Sequence, residues 1–164
     1  MSYVRYIDKT REYYLSEGYD NPYKWAHFDD VPFAPLKKPI SECCLTLVST
    51  SDVAIKSEDG EKDPTHNFLV GSVYSIPSDT SGDDLYTHQE HYDQNATNLD
   101  DVNSYFPVTR LQELAAAGRL KRLAARFHGV YTNYSQRRTQ EVDAPEVLKR
   151  CREDGVDVAL FTPV

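Results

Sequence analysis

Long apolar runs are missing from this chain of 164 residues. The longest, at 45–48 and 156–161, fall far short of the roughly 20 residues that a membrane-spanning helix needs. Residues 1–12 carry charge throughout, so neither a signal peptide nor an N-terminal membrane anchor is expected. Positive net charge is missing too. Lys and Arg total 18 against 26 Asp and Glu, a net charge of −8, which argues against nucleic acid or an anionic membrane as the main partner. Cysteine is scarce and odd in number, at 3, and Cys43 and Cys44 are adjacent. That is no disulfide framework, and it fits a reducing, cytoplasmic setting. No CxxC pair occurs. The glycine-rich signatures GxGxxG and GxxxxGK[ST] are absent, so nucleotide binding has no support.

What is present reads as one α/β domain with an arm. Residues 1–40 gather tyrosines, Trp25, Phe28 and Phe33. A first helix ending near Gly18 is followed by Pro22, Pro32, Pro35 and Pro39, which prevent regular structure. This segment is read as an N-terminal aromatic arm, laid on the chain's own core or on a partner. Residues 41–164 are read as an α/β domain: a small, mostly parallel sheet with flanking helices. The run 43–50, CCLTLVST, is apolar and β-branched over the length of a buried strand. A second strand is expected at 68–76, closed by Pro77. A helix is expected from Pro107 to Gly118, with Val108, Leu111, Leu114 and Ala115 on one face. Residues 120–127 fit either a helical continuation or a short strand. Asp143 followed by Glu146 has the form of a capping box opening a last helix, which ends before Gly155. Residues 156–161 then read as a strand, and helix, glycine, buried strand is the second half of a βαβ unit.

Several residues are candidates for chemistry. Ser49, Thr50 and Ser51 follow the first strand, where α/β proteins place ligand groups and where ordinary turns also occur. His88, His91 and Asp93 crowd the segment THQEHYD; they suit acid–base or hydrogen-bonding work, a metal site, or local ion pairing. A metal is not the expected reading. Arg137, beside Arg138, suits bidentate binding of a carboxylate or simple solvent exposure. Cys151 falls on the apolar face of the last helix and reads as core. Opposite charge blocks, acidic over 63–109 and basic over 110–138, either neutralise each other or build a local anion pocket.

One set of motifs goes further. LTLVSTSDV at 45–53, Gly71 with Ile76 and Pro77, HQEHYD at 88–93, the pattern D-x-N-x-x-F-P-x-x-R-L-x-x-L at 101–114, and GVDVALFTPV at 155–164 occur in this order. Together, over about residues 43–164, they resemble the selenoprotein B family of glycine, sarcosine, betaine and D-proline reductases. The resemblance implies reductive C–N cleavage of an amino-acid-like small molecule. It implies a partner reductase subunit whose pyruvoyl group captures the amine, and no cofactor in this chain itself. It adds Asn103, within the 101–114 motif, to the substrate-binding or orienting candidates. It also places the attacking selenocysteine or cysteine directly after Val164. A UGA codon or a short paralogue lacking the nucleophile are the two explanations left open, and the catalytic nucleophile is therefore not assigned to any residue. Two rivals remain: a non-catalytic binding or assembly module that keeps the family's cleft, and a metal-dependent enzyme using His88, His91 and Asp93. A homo-oligomer is expected, because an aromatic arm and an uncovered sheet face expose apolar area.

Overall fold

The computed structural model describes residues 5–21, 24, 26–31, 34–63, 73–87, 99–131 and 135–164. The chain divides into two compact units, Met1–Ala34 and Pro35–Val164. In the first, helix α1 (Tyr6–Ser16) opens with Asp8, which pairs with Arg11 at 2.6 Å. It ends where Gly18 takes φ 85°, a left-handed conformation that glycine adopts without penalty. Tyr14 meets Tyr13 and Tyr19 edge to face at 5.6 and 5.5 Å.

The second unit is an α/β layer structure around a five-stranded sheet. Strand β1 (Cys44–Ser49) is buried along its whole length. A small antiparallel ribbon joins β2 (Ala54–Ile55) to β4 (Leu85–Tyr86). Strand β3 (Val73–Pro77) is an antiparallel neighbour of β6 (Arg126–Val130). Strand β5 (Arg122–Leu123) pairs in parallel with the start of β1, and β6 pairs in parallel with its end. Strand β7 (Val158–Thr162) lies parallel to β1 from Leu45↔Val158 to Ser49↔Thr162. That pairing occupies one edge of β1, so β5 and β6 follow one another along the other. The ambiguous stretch at 120–127 resolves into β5 and the start of β6, not a helix.

Helix α2 (Val108–Ala116) begins just after Pro107, which cannot donate a backbone hydrogen bond and has none to give at that position. It packs Val108 and Leu111 on one face of the sheet, against Leu45, Leu47, Ile76 and Phe127. Phe106 and Phe127, both fully buried, meet edge to face at 6.1 Å.

The opposite face carries one long helical segment. A short helix α3 (Gln136–Arg138) runs into a π-helical turn, Thr139–Asp143, and on into α4 (Ala144–Glu153). Asp143 is therefore not a cap. Its backbone is helical at φ −71°, ψ −49°, and its side chain caps nothing. Pro145 explains the difference. It has no N–H to give the carbonyl four residues back, and the ladder slips into wider register just upstream. Asn103 does the capping work elsewhere: its amide oxygen accepts from the Thr109 and Arg110 N–H groups at the start of α2. Among the described residues no helix is long and apolar enough to cross a membrane.

Candidate functional site

Because β1, β6 and β7 run parallel, their C-terminal ends come together. Side-chain alternation decides what each face offers there. Leu45, Leu47 and Phe127 point into the α2 core, so Val48, His128 and Val130 point toward α4. Helix α4 hands over to β7 through Gly155, at φ 64°. It runs antiparallel to the strands, and its N-terminal end lies over their C-terminal ends.

Between α4 and the sheet lies a cavity of about 550 Å³. Its walls are apolar: Val48, Val130, Val147, Leu148, Cys151 and Phe161. Asp143, from the π turn, lines the same cavity. Its side chain is 1% exposed. Neither carboxylate oxygen has a hydrogen-bond partner. Arg138 Nε stands 3.8 Å from Oδ1, close enough to pair charges but too far for a hydrogen bond.

The serine-rich turn after β1 is tied up internally. Ser49 Oγ lies 2.7 Å from Ser51 Oγ, 3.0 Å from the Tyr105 carbonyl and 3.1 Å from the Thr162 carbonyl. With one proton to give, it donates to one of these at a time, while the Ser51 N–H donates to it. Thr50 Oγ1 accepts from the Val164 N–H at 2.9 Å and faces the Val164 carbonyl at 3.3 Å. Thus Ser49 and Thr50 tie the end of β1 to the end of β7, and Ser51 is bonded to Ser49. Asp52, next in line, is 1% exposed, and burial pushes its carboxyl up to about 7.

On β3 and β6, two groups stand out. Tyr74 lays its ring across Gly129, donates its hydroxyl proton to the Ser51 carbonyl and accepts from the Val53 N–H at 2.9 Å. A Cβ at residue 129 would overlap that ring, so the close approach requires glycine. His128 is fully buried. Its Nδ1 lies 3.0 Å from Ser75 Oγ, which also receives a hydrogen bond from Arg150. Its Nε2 has no partner. Burial first, and then the Arg126 and Arg150 charges, lower it to about 4, so it is neutral at physiological pH.

The other sequence candidates fall differently. Asn103 lines a separate polar hollow of about 630 Å³ with Lys56, Asp101 and Thr109. Both ends of its amide are engaged, the nitrogen donating to Asp101. Arg137 is exposed on α3, and it is Arg138 that meets Asp143. His88, His91 and Asp93 lie outside the described residues. Among those described, no three His, Cys, Asp or Glu side chains gather as for a metal. Cys151 lines the cavity, but burial pushes its thiol up, which disfavours the thiolate. From its local pattern Asp143 is expected as a cap; only Pro145, two residues later, signals an irregular turn there.

No family model matches the chain, and no solved structure matches it. Among curated proteins, D-proline reductase subunit gamma of Acetoanaerobium sticklandii is 28% identical over 134 residues. The match covers 79% of this chain and 52% of that protein, so the chain spans about half the length of the curated relative it matches. The chain is thus similar to a reductase subunit at a distance, a relation coarser than the selenoprotein B resemblance carried by its motifs.

Proposed function

We propose that this domain forms the substrate-facing part of a reductase subunit that cleaves a C–N bond in a small amino-acid-like amine, together with a partner subunit. The observation that carries the reading is the cavity under α4. It opens at the C-terminal ends of parallel strands, where α/β folds bind ligands, and its apolar wall holds one buried carboxylate. The similarity to a D-proline reductase subunit supports the same class and makes D-proline the first substrate to try.

A pyruvoyl carbonyl on the partner would supply capture of the amine, and a selenolate or thiolate following Val164 would supply displacement at carbon. The residues described here fit that division of labour. Cys44 and Cys151 both have thiols raised by burial. Thr50 holds Val164 by two contacts beside the cavity residues Thr162 and Pro163. This chain's own contribution is to enclose the aliphatic body of the substrate and exclude water from it. Assembly as a homo-oligomer or with the partner subunit, with the aromatic residues of 1–40 at the contact, belongs to the same proposal. The second reading, a binding module that keeps the cleft without the chemistry, is favoured by the raised thiols alone.

The test is a dithiol-dependent assay of the protein purified with its native partner. Breaking the bond between nitrogen and the α-carbon of D-proline, with two electrons and two protons added, gives 5-aminopentanoate. Formation of that product supports the proposal. A complex that binds D-proline and does not consume it favours the binding module. A protein that binds no amine and turns over none of D-proline, glycine, sarcosine and betaine overturns both readings.

A further inference from the structure

We infer that Asp143 is the recognition group for a cationic amine, and that the cavity beneath it takes a small ligand with one ammonium centre and an aliphatic body. The inference rests on the cavity being the substrate site, and it assigns the specificity-determining residue. An ionised carboxylate taken from water into apolar surroundings is costly unless it is paired and hydrogen-bonded. Asp143 is 99% removed from solvent by its 1% exposure, and neither oxygen receives a hydrogen bond. Among the described residues the cation near it is Arg138, at 3.8 Å with its side chain 48% exposed, a loose pair at the rim. Nothing else in the described walls donates a proton to the carboxylate.

The chemistry narrows the occupant. A divalent metal needs several oxygen, nitrogen or sulfur ligands, and no such group of three exists among the described residues. An anion is repelled. A neutral amide donor would satisfy one oxygen without offsetting the charge. A primary or secondary ammonium does both, with short charge-assisted hydrogen bonds. Val48, Val130, Val147 and Phe161 then cover its methylene groups. The π turn is the device that makes this possible, since π turns inside helices recur at functional sites.

Three probes separate the possibilities: pyrrolidine, an amine without a carboxylate; cyclopentanecarboxylate, a carboxylate without an amine; and D-proline, which has both. Calorimetry on the purified protein should show pyrrolidine and D-proline binding, with cyclopentanecarboxylate at least tenfold weaker. Asp143→Asn should weaken pyrrolidine at least tenfold, and without ligand it should melt no lower than the wild type, because an ill-satisfied charge has been removed. The wild type gives a readout that does not depend on that variant. Cys151 lines the same cavity, so its alkylation by iodoacetamide should be slowed by pyrrolidine and not by cyclopentanecarboxylate. Equal pyrrolidine binding by wild type and Asp143→Asn, or a lower melting temperature of the free variant, would overturn the inference and leave the cavity reading standing. So would preferential binding of cyclopentanecarboxylate. A wild type that binds no amine here, while its complex still turns one over, would overturn the inference without touching the proposed reaction.

Discussion

The two faces of the central sheet come from the same strands and are finished in opposite ways. On the α2 face, Leu47, Phe106, Phe127 and Val108 are fully buried and packed on one another. On the α4 face, a cavity of about 550 Å³ stays open, Leu148 is 49% exposed and Phe161 66%. One face closes around dispersion contacts among fully buried side chains. The other keeps a gap lined by two carboxylates, Asp157, which pairs with Lys38, and the buried Asp143, which no hydrogen bond satisfies. The difference teaches that the tight packing of this domain is concentrated on one side, while the other side keeps unfilled space.

The sharpest way to break the comparison is to damage the closed face. Phe127→Ala removes a fully buried ring and its edge-to-face partner contact with Phe106. It should cost about 3–5 kcal/mol, the range for deleting a buried aromatic, measured by urea unfolding. A cost below about 1 kcal/mol would mean that this face is no better packed than the other.

The next effect is a matter of pH, and it comes from two buried groups whose signs oppose. His128 is lowered from 6.5 to about 4. Its contribution is present above pH 6.5 and is lost as pH falls toward 4, because only the unfolded chain takes the proton. That loss is on the order of 3 kcal/mol. Asp52 is raised from 3.8 to about 7. Its contribution is present below pH 3.8 and is lost as pH rises toward 7, on the order of 4 kcal/mol. Between about pH 4 and 6.5 the two nearly cancel, and these two groups give the wild type little net pH dependence. Asp52→Asn leaves the histidine alone, so its stability should climb with pH in that window. His128→Gln leaves the aspartate alone, so its stability should fall. Denaturant unfolding at pH 4.5, 5.5 and 6.5 reads the slopes, and parallel profiles for all three proteins would refute the assignment.

Much of the closed face was legible in the sequence, because burial leaves a composition that can be read. The run at 43–50 has no charge and became β1, and the apolar spacing after Pro107 became α2. Strand β6 was not legible. It begins with Arg126 and contains His128 and Gly129, which are there for an ion pair, a buried hydrogen bond and a close approach, none of which follows a hydrophobic period. The open face was least legible. Asp143, Ala144, Pro145 and Glu146 spell a helix start in local terms, yet the helix begins earlier and Asp143 lies inside it. Local propensity reports what a residue does to its own backbone. It is silent on a carboxylate held over the ends of strands remote in sequence. The polar residues 49–51 were legible as groups at a strand end close to the end of the last strand, because parallel neighbours bring those ends together; that Ser49 and Thr50 are spent on Thr162 and Val164 was not.

A smaller effect tests the rim of the closed face, where Tyr74 packs against the core. Gly129→Ala puts a methyl group into the space of the Tyr74 ring. Overpacking of that kind costs about 1–3 kcal/mol, and it should also loosen the turn that Tyr74 holds through Ser51 and Val53. A double-mutant cycle separates the causes. In a Tyr74→Ala background the same methyl group should cost almost nothing beyond the change in strand propensity. An undiminished cost there would show that the backbone at residue 129, not the ring, demands glycine.

The smallest effect belongs to the open face. Phe161 is 66% exposed on β7 and forms part of the cavity wall. Little of its ring is withdrawn from water within this chain, so Phe161→Gln should change the unfolding free energy by no more than about 0.5 kcal/mol, as for other surface positions. Pyrrolidine binding should weaken by a few fold, since part of the aliphatic wall is lost while Asp143 remains. The value of the experiment lies in its failure. If Phe161→Gln costs more than about 2 kcal/mol, and the cost shrinks as the protein is diluted, the ring is buried against another chain in solution. A concentration-dependent cost would follow from mass action, because a partner that binds only the folded state stabilises it in proportion to its occupancy. The open face would then be an interface and the cavity a pocket shared between chains. The contrast between the two faces would become one between a core complete within one chain and a core completed by two.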